Sequence, residues 1–461
     1  MQLKALTLSL FLGCATIVLS QDAFLGADLS YVQEMEACGA TYFSNGTSVD
    51  PFQLFADEGA TLARFRLWHT PAWHDNLNSG QRFSDLADVR SSIQRSKQAG
   101  MEALLSVHLS DTWADPSNQL VPAAWLDVVD LPFTLADSVY NYFTAILQDL
   151  HSHQALPKII QIGNETNKGI LLSPTDNAVW TLNWQRNTIL FNHAVNAIRD
   201  FEAQSGESIE IMLHIAGPND VAWFVDQFVQ NGVTDFDWIG ISYYWQWHQP
   251  ATIESTGDII EQLLIDHPGK RVLIVEAGYP WTTGFNDNAG NILSASHPDY
   301  APLSPAKQAD WLIDLTQSVF DHGGHGVVYW EPAWVSTTCN TQWAQGSHYE
   351  NATFFDFNNN AQSDGGFAWL NHDFGISTSV EEVEITTLLK VYLAAETLRI
   401  ETDQLIESVQ GIDVNGRLIF SDLSIQQTTF ERAVLHLPKG VYAVHVALAN
   451  GERLVRRISV K

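Results

Sequence analysis

The chain has 461 residues, of which 45% are hydrophobic and 16% charged, and this composition excludes an intrinsically disordered protein. Its length exceeds that of one ordinary domain, so one large domain with an appendage is expected. Lysine and arginine number 23 and aspartate and glutamate 53, a net charge of −30 that phosphate backbones and anionic lipid would repel. Nucleic acid and membrane surfaces are therefore poor partners, whereas a neutral substrate is compatible with the chain.

The first residues predict an export signal. Lys4 precedes an apolar run, and cleavage before Gln21 makes residues 1–20 a signal peptide. A lipoprotein cysteine at Cys14 ranks second, because the apolar run continues past it. No later run of about 18 apolar residues follows, so no membrane span is expected. The mature protein is expected to be secreted or held at the cell surface.

Removal of the signal leaves two cysteines far apart in the chain, Cys38 and Cys339. Their spacing matches no metal-binding motif. A disulfide and two buried thiols both remain open as interpretations, and buried thiols are favoured.

Short apolar, β-branched runs recur along most of the chain. They cover residues 23–30, 62–68, 102–110, 158–165, 209–217, 236–244, 271–278 and 325–332. Helical patterns separate them, including 84–100 with Ser84 as N-cap and 304–324 with Pro305 at the helix start. Eight apolar runs followed by helices predict an α/β fold, the (β/α)₈ TIM barrel. A doubly wound open sheet is the alternative, but no Gly-rich phosphate turn supports it.

Polar or aromatic residues stand at the C-terminal end of each run, where barrel strands meet at the mouth. They are Asp28, Trp68, His69, His108, Asn164, Glu165, His214, Tyr243, Tyr244, Glu276, Trp330 and Glu331. Glu165 ends the fourth run and Glu276 the seventh, so their carboxylates are expected to face one substrate bond across the barrel. A lone glutamate at a strand end is more often a cap or a surface acid. Two such carboxylates with separated pKa values suit glycosidic bond cleavage.

Longer stretches of the chain are more specific than this pair of glutamates. They are residues 106–125, 160–172, 240–247, 273–282 and 326–357, and the motifs Ser-Asp-Thr-Trp-Ala-Asp-Pro and Tyr-Trp-Glu-Pro-Ala-Trp stand out among them. Over about residues 24–375 the chain resembles the family 53 glycoside hydrolases, the arabinogalactan endo-β-1,4-galactanases. The resemblance implies retaining endo-hydrolysis of galactan or type I arabinogalactan, without a required cofactor.

The resemblance also implies roles for individual side chains. Glu165 is the expected acid/base and Glu276 the expected nucleophile. Supporting roles are implied for Asn164, Arg64, His108, Tyr244 and Trp330, and groove contacts for Asp111, Trp113 and Trp334. Asn164 would bind the sugar 2-hydroxyl, while Arg64 and Tyr244 would keep the nucleophile ionised and oriented. Trp330 would form the stacking floor beneath the sugar.

Two loops depart from the family pattern or extend it. After Glu165 the chain carries Lys168 and lacks the usual tryptophan, which affects the neighbouring subsites and hence product length. Some relatives bind a structural calcium after the seventh strand, and Asp287, Asn288 and Asn291 offer oxygen ligands there. Such loops are also ordinary turns, so the metal content is left open.

The pattern changes after about residue 378. Short alternating runs follow, with an Asn-Gly hairpin signal in 413–420 and two more strands in 437–461. We therefore predict a catalytic barrel over 21–378 and a small all-β, sandwich-like domain over 379–461. The second domain resembles the C-terminal sorting domain of type IX secretion in Bacteroidetes. A carbohydrate-binding or spacer sandwich is the alternative, although few aromatic residues occur there to bind sugar.

Two other functions stay open beside the galactanase. One is another β-glycanase of the same clan, acting on mannan or glucan. The other is a non-catalytic polysaccharide-binding protein, which would need one of the two carboxylates to be lost or misplaced. β-1,4-Galactan is the expected partner, and the sequence does not indicate an oligomeric state.

Overall fold

A computed structural model describes residues 23–180, 182–375, 390–394, 397–413, 417–434, 440–449 and 453–460. The chain divides into two compact units, 1–378 and 379–461. The predicted signal peptide and the alternative lipid site lie outside the described residues. Among the helices in the described ranges, none has the length and hydropathy needed to cross a membrane.

Eight parallel strands of the first unit close into a barrel. The strands of this unit are β1 Phe24–Asp28, β2 Tyr42–Ser44, β3 Thr47–Val49, β4 Leu62–Leu67, β5 Glu102–Val107, β6 Ile159–Ile162, β7 Glu210–Ala216, β8 Trp238–Tyr243, β9 Arg271–Ala277 and β10 Gly326–Tyr329. The barrel runs β1-β4-β5-β6-β7-β8-β9-β10 and closes on β1, while β2 and β3 form a separate antiparallel pair. All eight predicted runs are barrel strands, and the predicted TIM-barrel fold is confirmed.

Helices connect the barrel strands. They are α1 Val32–Ala37, α2 Pro51–Asp57, α3 Leu86–Gln98, α4 Pro132–Ser152, α5 Pro174–Asn177, α6 Trp184–Ser205, α7 Pro218–Gln230, α8 Ile253–Asp266, α9 Pro305–Asp321 and α10 Gly366–Leu370. The predicted start of α9 at Pro305 is confirmed. The predicted N-cap at Ser84 is wrong by one residue, because the side chain of Asp85 accepts the N–H of Asp88 and caps α3.

The barrel interior is apolar below the mouth, toward the N-terminal ends of the strands. Its side chains form one buried cluster of Phe24, Leu62, Leu104, Ile159, Met212, Trp238, Leu273, Val275 and Val328. Most of the other apolar strand residues face outward and join the larger core beneath the helices. Strands covered on both faces explain why the eight runs are apolar throughout rather than alternating.

A polar layer lies above the apolar cluster, two residues further along most of the strands. Its members are Asp28, Arg64, Ser106, Gln161, His214 and Ser242, each at most 1% exposed. Arg64 lies near its centre and donates to Asp28 at 2.8 Å and to Ser106 and Gln161 at 3.2 Å. Because buried polar groups need partners, this hydrogen-bonded layer fixes a rigid floor beneath the barrel mouth.

A β-bulge on β9 changes the direction of one side chain. Ile241 of β8 pairs with Ile274, but the next residue, Ser242, pairs with Glu276, which leaves Val275 as an extra residue. The pairing between β9 and β10 shifts at the same place. Val275 packs inside the barrel, and the bulge allows its neighbour Glu276 to face the mouth as well.

The two remaining cysteines form a disulfide, so the preference for buried thiols is wrong. Cys38 follows α1 and Cys339 lies in the loop after β10, with their Cα atoms 5.5 Å apart. The two loops meet because β1 and β10 are neighbours where the barrel closes. The sequence separation of 301 hides this proximity.

The described part of the second unit is all-β, as predicted, but its strands form one antiparallel sheet rather than a sandwich. Its strands are β11 Lys390–Ala394, β12 Thr397–Asp413, β13 Leu418–Ala433, β14 Gly440–Leu448 and β15 Arg453–Val460. The long strand β12 pairs with β11 and β14 along one edge and with β13 along the other, and β14 pairs with β15. The predicted Asn-Gly turn falls at residues 415–416, outside the described residues.

Candidate active site

The mouth of the barrel holds a cavity of about 880 Å³. Its lining residues are Trp113, Ala114, Asp115, Pro116, Ser117, Asn164, Glu165, Ala216, Tyr244, Trp247, His248, Glu276, Ile292, Trp330, Trp334, Trp343 and His348. Both glutamates predicted from the sequence line this one cavity. Loops following five of the eight barrel strands contribute to it, together with Ala216 at the end of β7, as expected where parallel strands end together.

Glu276 is held by two side chains at the end of β9. Its Oε1 lies 2.8 Å from a terminal guanidinium nitrogen of Arg64, and the hydroxyl of Tyr244 donates to its Oε2 at 3.1 Å. Burial is the main cause that raises the pKa of Glu276 above its usual range, while the charge of Arg64 and the hydrogen bonds from Arg64 and Tyr244 oppose that rise. The ion pair therefore favours the ionised form of this carboxylate over that of its neighbour.

Glu165 follows β6 in a left-handed backbone conformation, with φ 46° and ψ 58°. Gly163, two residues earlier, also has a positive φ of 74°. The N–H of Glu165 donates to Nδ1 of His214 at 3.2 Å, which assigns the Nε2 proton to the 2.8 Å hydrogen bond with Ser242. Burial lowers the pKa of His214 well below its usual range, so the ring stays neutral in this network.

The electrostatic surroundings of Glu165 favour its protonated form. Burial is the main cause and the negative charge of Glu276 the second, and together they raise the pKa of Glu165 to about 8. A hydrogen bond with Ser242 acts in the opposite direction. The cavity therefore holds two unlike carboxyl groups: one keeps its proton near neutral pH, and the ion pair with Arg64 favours the ionised form of the other.

Asn164 is oriented by hydrogen bonds with three neighbours. Its Oδ1 accepts from Arg64 at 2.8 Å and from Gln161 at 3.1 Å. Its Nδ2 donates to the carbonyl of Ala114 at 2.8 Å. One N–H of the amide thus stays available on the cavity side for a substrate oxygen.

Aromatic rings form the walls of the cavity. Trp330 is 8% exposed and meets Tyr349 edge-on, with ring centroids 4.8 Å apart. Trp334 stacks on Tyr31 at 3.9 Å, and Trp113 lies 5.7 Å from Trp330. Rings held by other rings keep flat faces in fixed positions, which suits the C–H faces of sugars.

A buried ion pair supports these walls from behind. Arg66 donates to Glu331 at 2.7 Å, and both side chains are 1% exposed. The guanidinium carbon of Arg66 also lies 4.4 Å from the ring centre of Tyr31 and 4.2 Å from that of Trp113. Cation–π contacts of this kind stabilise the aromatic wall.

Three predicted site residues lie outside the cavity lining. One is Arg64, which contacts Glu276 from the polar layer, and the other two are His108 and Asp111. His108 is 2% exposed, and its Nδ1 accepts the N–H of Ala114 at 3.3 Å. Asp111 accepts the N–H groups of Thr70 at 2.9 Å and Ala123 at 2.8 Å, so its carboxylate joins two loops. The structure thus places His108 and Asp111 in support of the loops, and their substrate roles stay predictions.

Several residues of the site carried no individual prediction. In the polar layer they are Ser106, Gln161 and Ser242, and on the cavity wall Asp115, Trp247, Trp343 and His348. The polar layer follows a period of two from the apolar interior positions, a signal that could have identified it. Trp247 and Trp343 are 47% and 52% exposed, and their loops carry no comparable periodicity.

The loop considered for calcium is held by protein groups. The carboxylate of Asp287 accepts the N–H groups of Ser347 at 2.6 Å and Ala289 at 2.8 Å. Asn291 donates its amide to the carbonyl of Gly284 at 3.2 Å, while its buried Oδ1 has no protein partner. Among the described residues, no cluster of three or more His, Cys, Asp or Glu could hold a metal.

Comparison with known proteins agrees with this geometry. The chain is 46% identical over 360 residues to an arabinogalactan endo-β-1,4-galactanase of Cellvibrio japonicus, covering 78% of this chain and 93% of that protein. The GH53 catalytic domain of Ignisphaera aggregans superimposes with a TM-score of 0.67 at 28% identity, covering 77% of this chain and 98% of the other.

A fungal β-1,4-galactanase structure is similar as well. It superimposes with a TM-score of 0.62 at 26% identity, covering 76% of this chain and 98% of the other. Residues 24–364, which contain the barrel and every cavity-lining residue, match the profile of glycosyl hydrolase family 53. The chain is therefore a glycoside hydrolase and belongs to glycosyl hydrolase family 53.

Proposed function

We propose that this enzyme cleaves internal β-1,4-galactosidic bonds of galactan or type I arabinogalactan with retention of configuration. One observation carries the proposal: a cavity presents Glu276 in an ion pair with Arg64 and, beside it, Glu165 with a raised pKa. Hydrolysis of a glycosidic bond needs one carboxylate and one carboxylic acid that face the same bond, and retention is the outcome that the family resemblance implies.

The chemistry assigns one role to each glutamate. The Glu276 carboxylate attacks the anomeric carbon while the Glu165 acid protonates the bridging oxygen, which leaves with the released chain. A glycosyl ester on Glu276 results. Glu165, now ionised, takes a proton from water, and the hydroxide oxygen displaces the ester from the opposite direction. Two inversions at one carbon give net retention.

Neighbouring groups stabilise the charge changes in these steps. Arg64 and Tyr244 orient the Glu276 carboxylate for attack. The amide of Asn164 has an N–H available for the sugar 2-hydroxyl, a contact that strengthens as the transition state forms. Trp330 provides the flat surface beneath the reacting sugar.

The similar proteins favour galactan over mannan or glucan. Two of the proteins compared above are named β-1,4-galactanases. The test compares reducing-end release from potato galactan, mannan and carboxymethyl cellulose. We expect release from galactan, and a clear preference for either other polymer would contradict the proposed substrate.

The mechanism has its own test. Glu276→Ala and Glu165→Gln should each reduce galactan turnover by orders of magnitude while circular dichroism shows a folded protein. NMR of the first product should show the β-anomer before mutarotation. An initial α-anomer would exclude retention, and full activity in either variant would exclude the assigned roles.

We propose that the C-terminal sheet is a sorting domain for type IX secretion and that the enzyme acts outside the cell. The antiparallel sheet and the Gly-Val-Tyr strand at Gly440–Leu448 support this assignment. Deletion of residues 379–461 should leave galactan hydrolysis intact, because every cavity residue lies in the first unit. In a host with type IX secretion, the shortened protein should stay inside the cell. Normal export, combined with weaker retention on insoluble galactan, would favour the sugar-binding alternative.

A further inference from the structure

Gln119 is a buried glutamine whose side chain contacts the backbone at Glu165. It lies in the loop after β5 and is 2% exposed. Its Nε2 donates to the carbonyls of Asn164 at 2.7 Å, Glu165 at 3.2 Å and Asp115 at 3.1 Å. A single amide thus joins the proposed acid/base to a loop that lines the cavity.

The backbone at Glu165 needs such support. Its φ of 46° lies in the left-handed region, which is unfavourable for residues other than glycine. A residue holds this conformation only where its surroundings determine it. The N–H of Glu165 contacts His214, and Gln119 contacts its carbonyl, so the peptide groups on both sides of its Cα are held.

Gln119 is itself fixed by its main chain. Its N–H donates to the side chain of Asn177 at 2.7 Å, and its carbonyl accepts the N–H of Leu172 at 2.7 Å. Leu120 and Leu172 continue this contact as a parallel bridge. The segment after the third barrel strand is therefore paired with the segment after the fourth, and Gln119 lies at their junction.

We propose that Gln119 is a positioning residue that aims the carboxyl group of Glu165 by fixing its left-handed backbone. This inference rests on the acid/base role proposed for Glu165. Loss of the Gln119 amide would leave the carbonyls of Asn164 and Glu165 without this donor, and the backbone at Glu165 would relax. The carboxyl group of Glu165 would then no longer reach the bridging oxygen of the substrate. Displacements of about 1 Å at a proton donor can reduce rates by roughly 100-fold.

Two substrates with different leaving groups distinguish a misplaced Glu165 acid from a general loss of active-site structure. Galactan expels an alkoxide that needs a proton, whereas a galactobioside of 2,4-dinitrophenol expels a stable anion. The ratio kcat/KM reports the first chemical step for both substrates. For Gln119→Leu we expect kcat/KM to fall roughly 10- to 100-fold on galactan and less than about 3-fold on the dinitrophenyl substrate.

Gln308 provides a matched control. It is 1% exposed, and its Nε2 also has three acceptors: the carbonyls of Tyr279 at 2.8 Å and Ala352 at 3.0 Å and the hydroxyl of Tyr329 at 3.1 Å. None of these acceptors belongs to Glu165 or to a residue next to it in the chain. Gln308→Leu should lower the melting temperature and affect both substrates by the same factor. An equal loss on both substrates for Gln119→Leu, or no loss on galactan, would overturn the proposal.

Two further variants keep the test decisive. Gln119→Glu preserves the side-chain shape, and its carboxyl group can donate only when protonated, so its galactan activity relative to wild type should recover as pH falls. This variant replaces Gln119→Leu if the latter does not fold. A ratio of its galactan activity to that of wild type that is independent of pH would overturn the proposal.

Glu165→Gln tests the proposed function itself. If this variant does not lose more activity on galactan than on the dinitrophenyl substrate, the acid role of Glu165 fails. If Glu165→Gln shows that loss and the Gln119 variants do not, only the positioning role fails.

Discussion

At the residue scale, the two glutamates differ in the charges that surround them. Glu276 forms an ion pair with the guanidinium of Arg64. Glu165 instead senses the negative charge of Glu276, and burial together with that charge raises the pKa of Glu165 to about 8. Because the acid must be protonated, galactan hydrolysis should decline as pH rises through about 8. A pH profile of kcat/KM checks this, and activity undiminished at pH 10 would contradict it.

Glu276→Gln removes one cause of the Glu165 shift. The carboxamide has no charge, so the pKa of Glu165 should fall from about 8 while remaining above 4.5, since burial still raises it. Carbon-13 NMR of labelled glutamate side chains measures the change. An unchanged pKa in this variant would mean that the two carboxyl groups do not sense each other.

The same shift has a consequence for stability. In the unfolded chain Glu165 ionises near 4.5, but in the folded protein it keeps its proton up to about 8. Its contribution to stability is full below pH 4.5 and is lost as pH rises through 8. Gln cannot titrate, so Glu165→Gln should raise the free energy of unfolding at pH 8 by about 1–3 kcal/mol, a value reduced for partial exposure.

Thermal melts at pH 4 and pH 8 test this expectation. The variant should gain in melting temperature over wild type only at the higher pH. Glu276→Gln provides the contrast, because it leaves the buried Arg64 charge with one partner fewer and should destabilise the protein. A gain for Glu165→Gln that is equal at both pH values would contradict the assigned pKa.

At the element scale, the segment after β9 can pack closely against Tyr349 and Tyr244 because residue 278 is a glycine. A Cβ atom at Gly278 would lie 1.8 Å from the hydroxyl of Tyr349 and 2.9 Å from the ring of Tyr244. Gly278→Ala should therefore displace Tyr244 from Glu276, lower kcat, and cost about 1–3 kcal/mol of stability. Gly290→Ala is the control, since a Cβ there meets nothing within 4 Å. Equal behaviour of the two variants in melts and kinetics would contradict this reading.

The strands show which parts of the structure the sequence can predict. The sequence predicts the eight runs because a strand buried on both faces is apolar throughout, and their polar ends meet at the mouth when the barrel closes. The bulge at Val275 was not predictable in this way. Strict alternation would place Val275 and Glu276 on opposite faces, and only the shifted pairing with β8 shows otherwise.

Contacts between loops were the other limit of prediction. Asp111 belongs to a motif specific to the family, yet its carboxylate binds the backbone at Thr70 and Ala123 rather than lining the cavity. Gln119 has no periodic or compositional signal, because its importance comes from three carbonyls that folding brings near it. Long-range contacts of single side chains leave little trace in one sequence.

At the scale of the whole molecule, the disulfide joins the loops that follow the first and last barrel strands. Its separation of 301 residues makes the entropic restriction of the unfolded chain large. Replacing both Cys38 and Cys339 by Ala should reduce the free energy of unfolding by about 2–5 kcal/mol. Neither cysteine lines the cavity, so kcat at 25 °C should not change. Denaturant melts with and without reductant provide the measurement, and coincident curves would contradict it.

The position of this bond also affects what a protease can do to the barrel. A single cut in any loop between residues 38 and 339 would leave two fragments that the bond still joins. On a denaturing gel, the cut enzyme would migrate as one band without reductant and as two bands after reduction. Cleavage of one such loop would thus leave the two fragments of the barrel covalently joined.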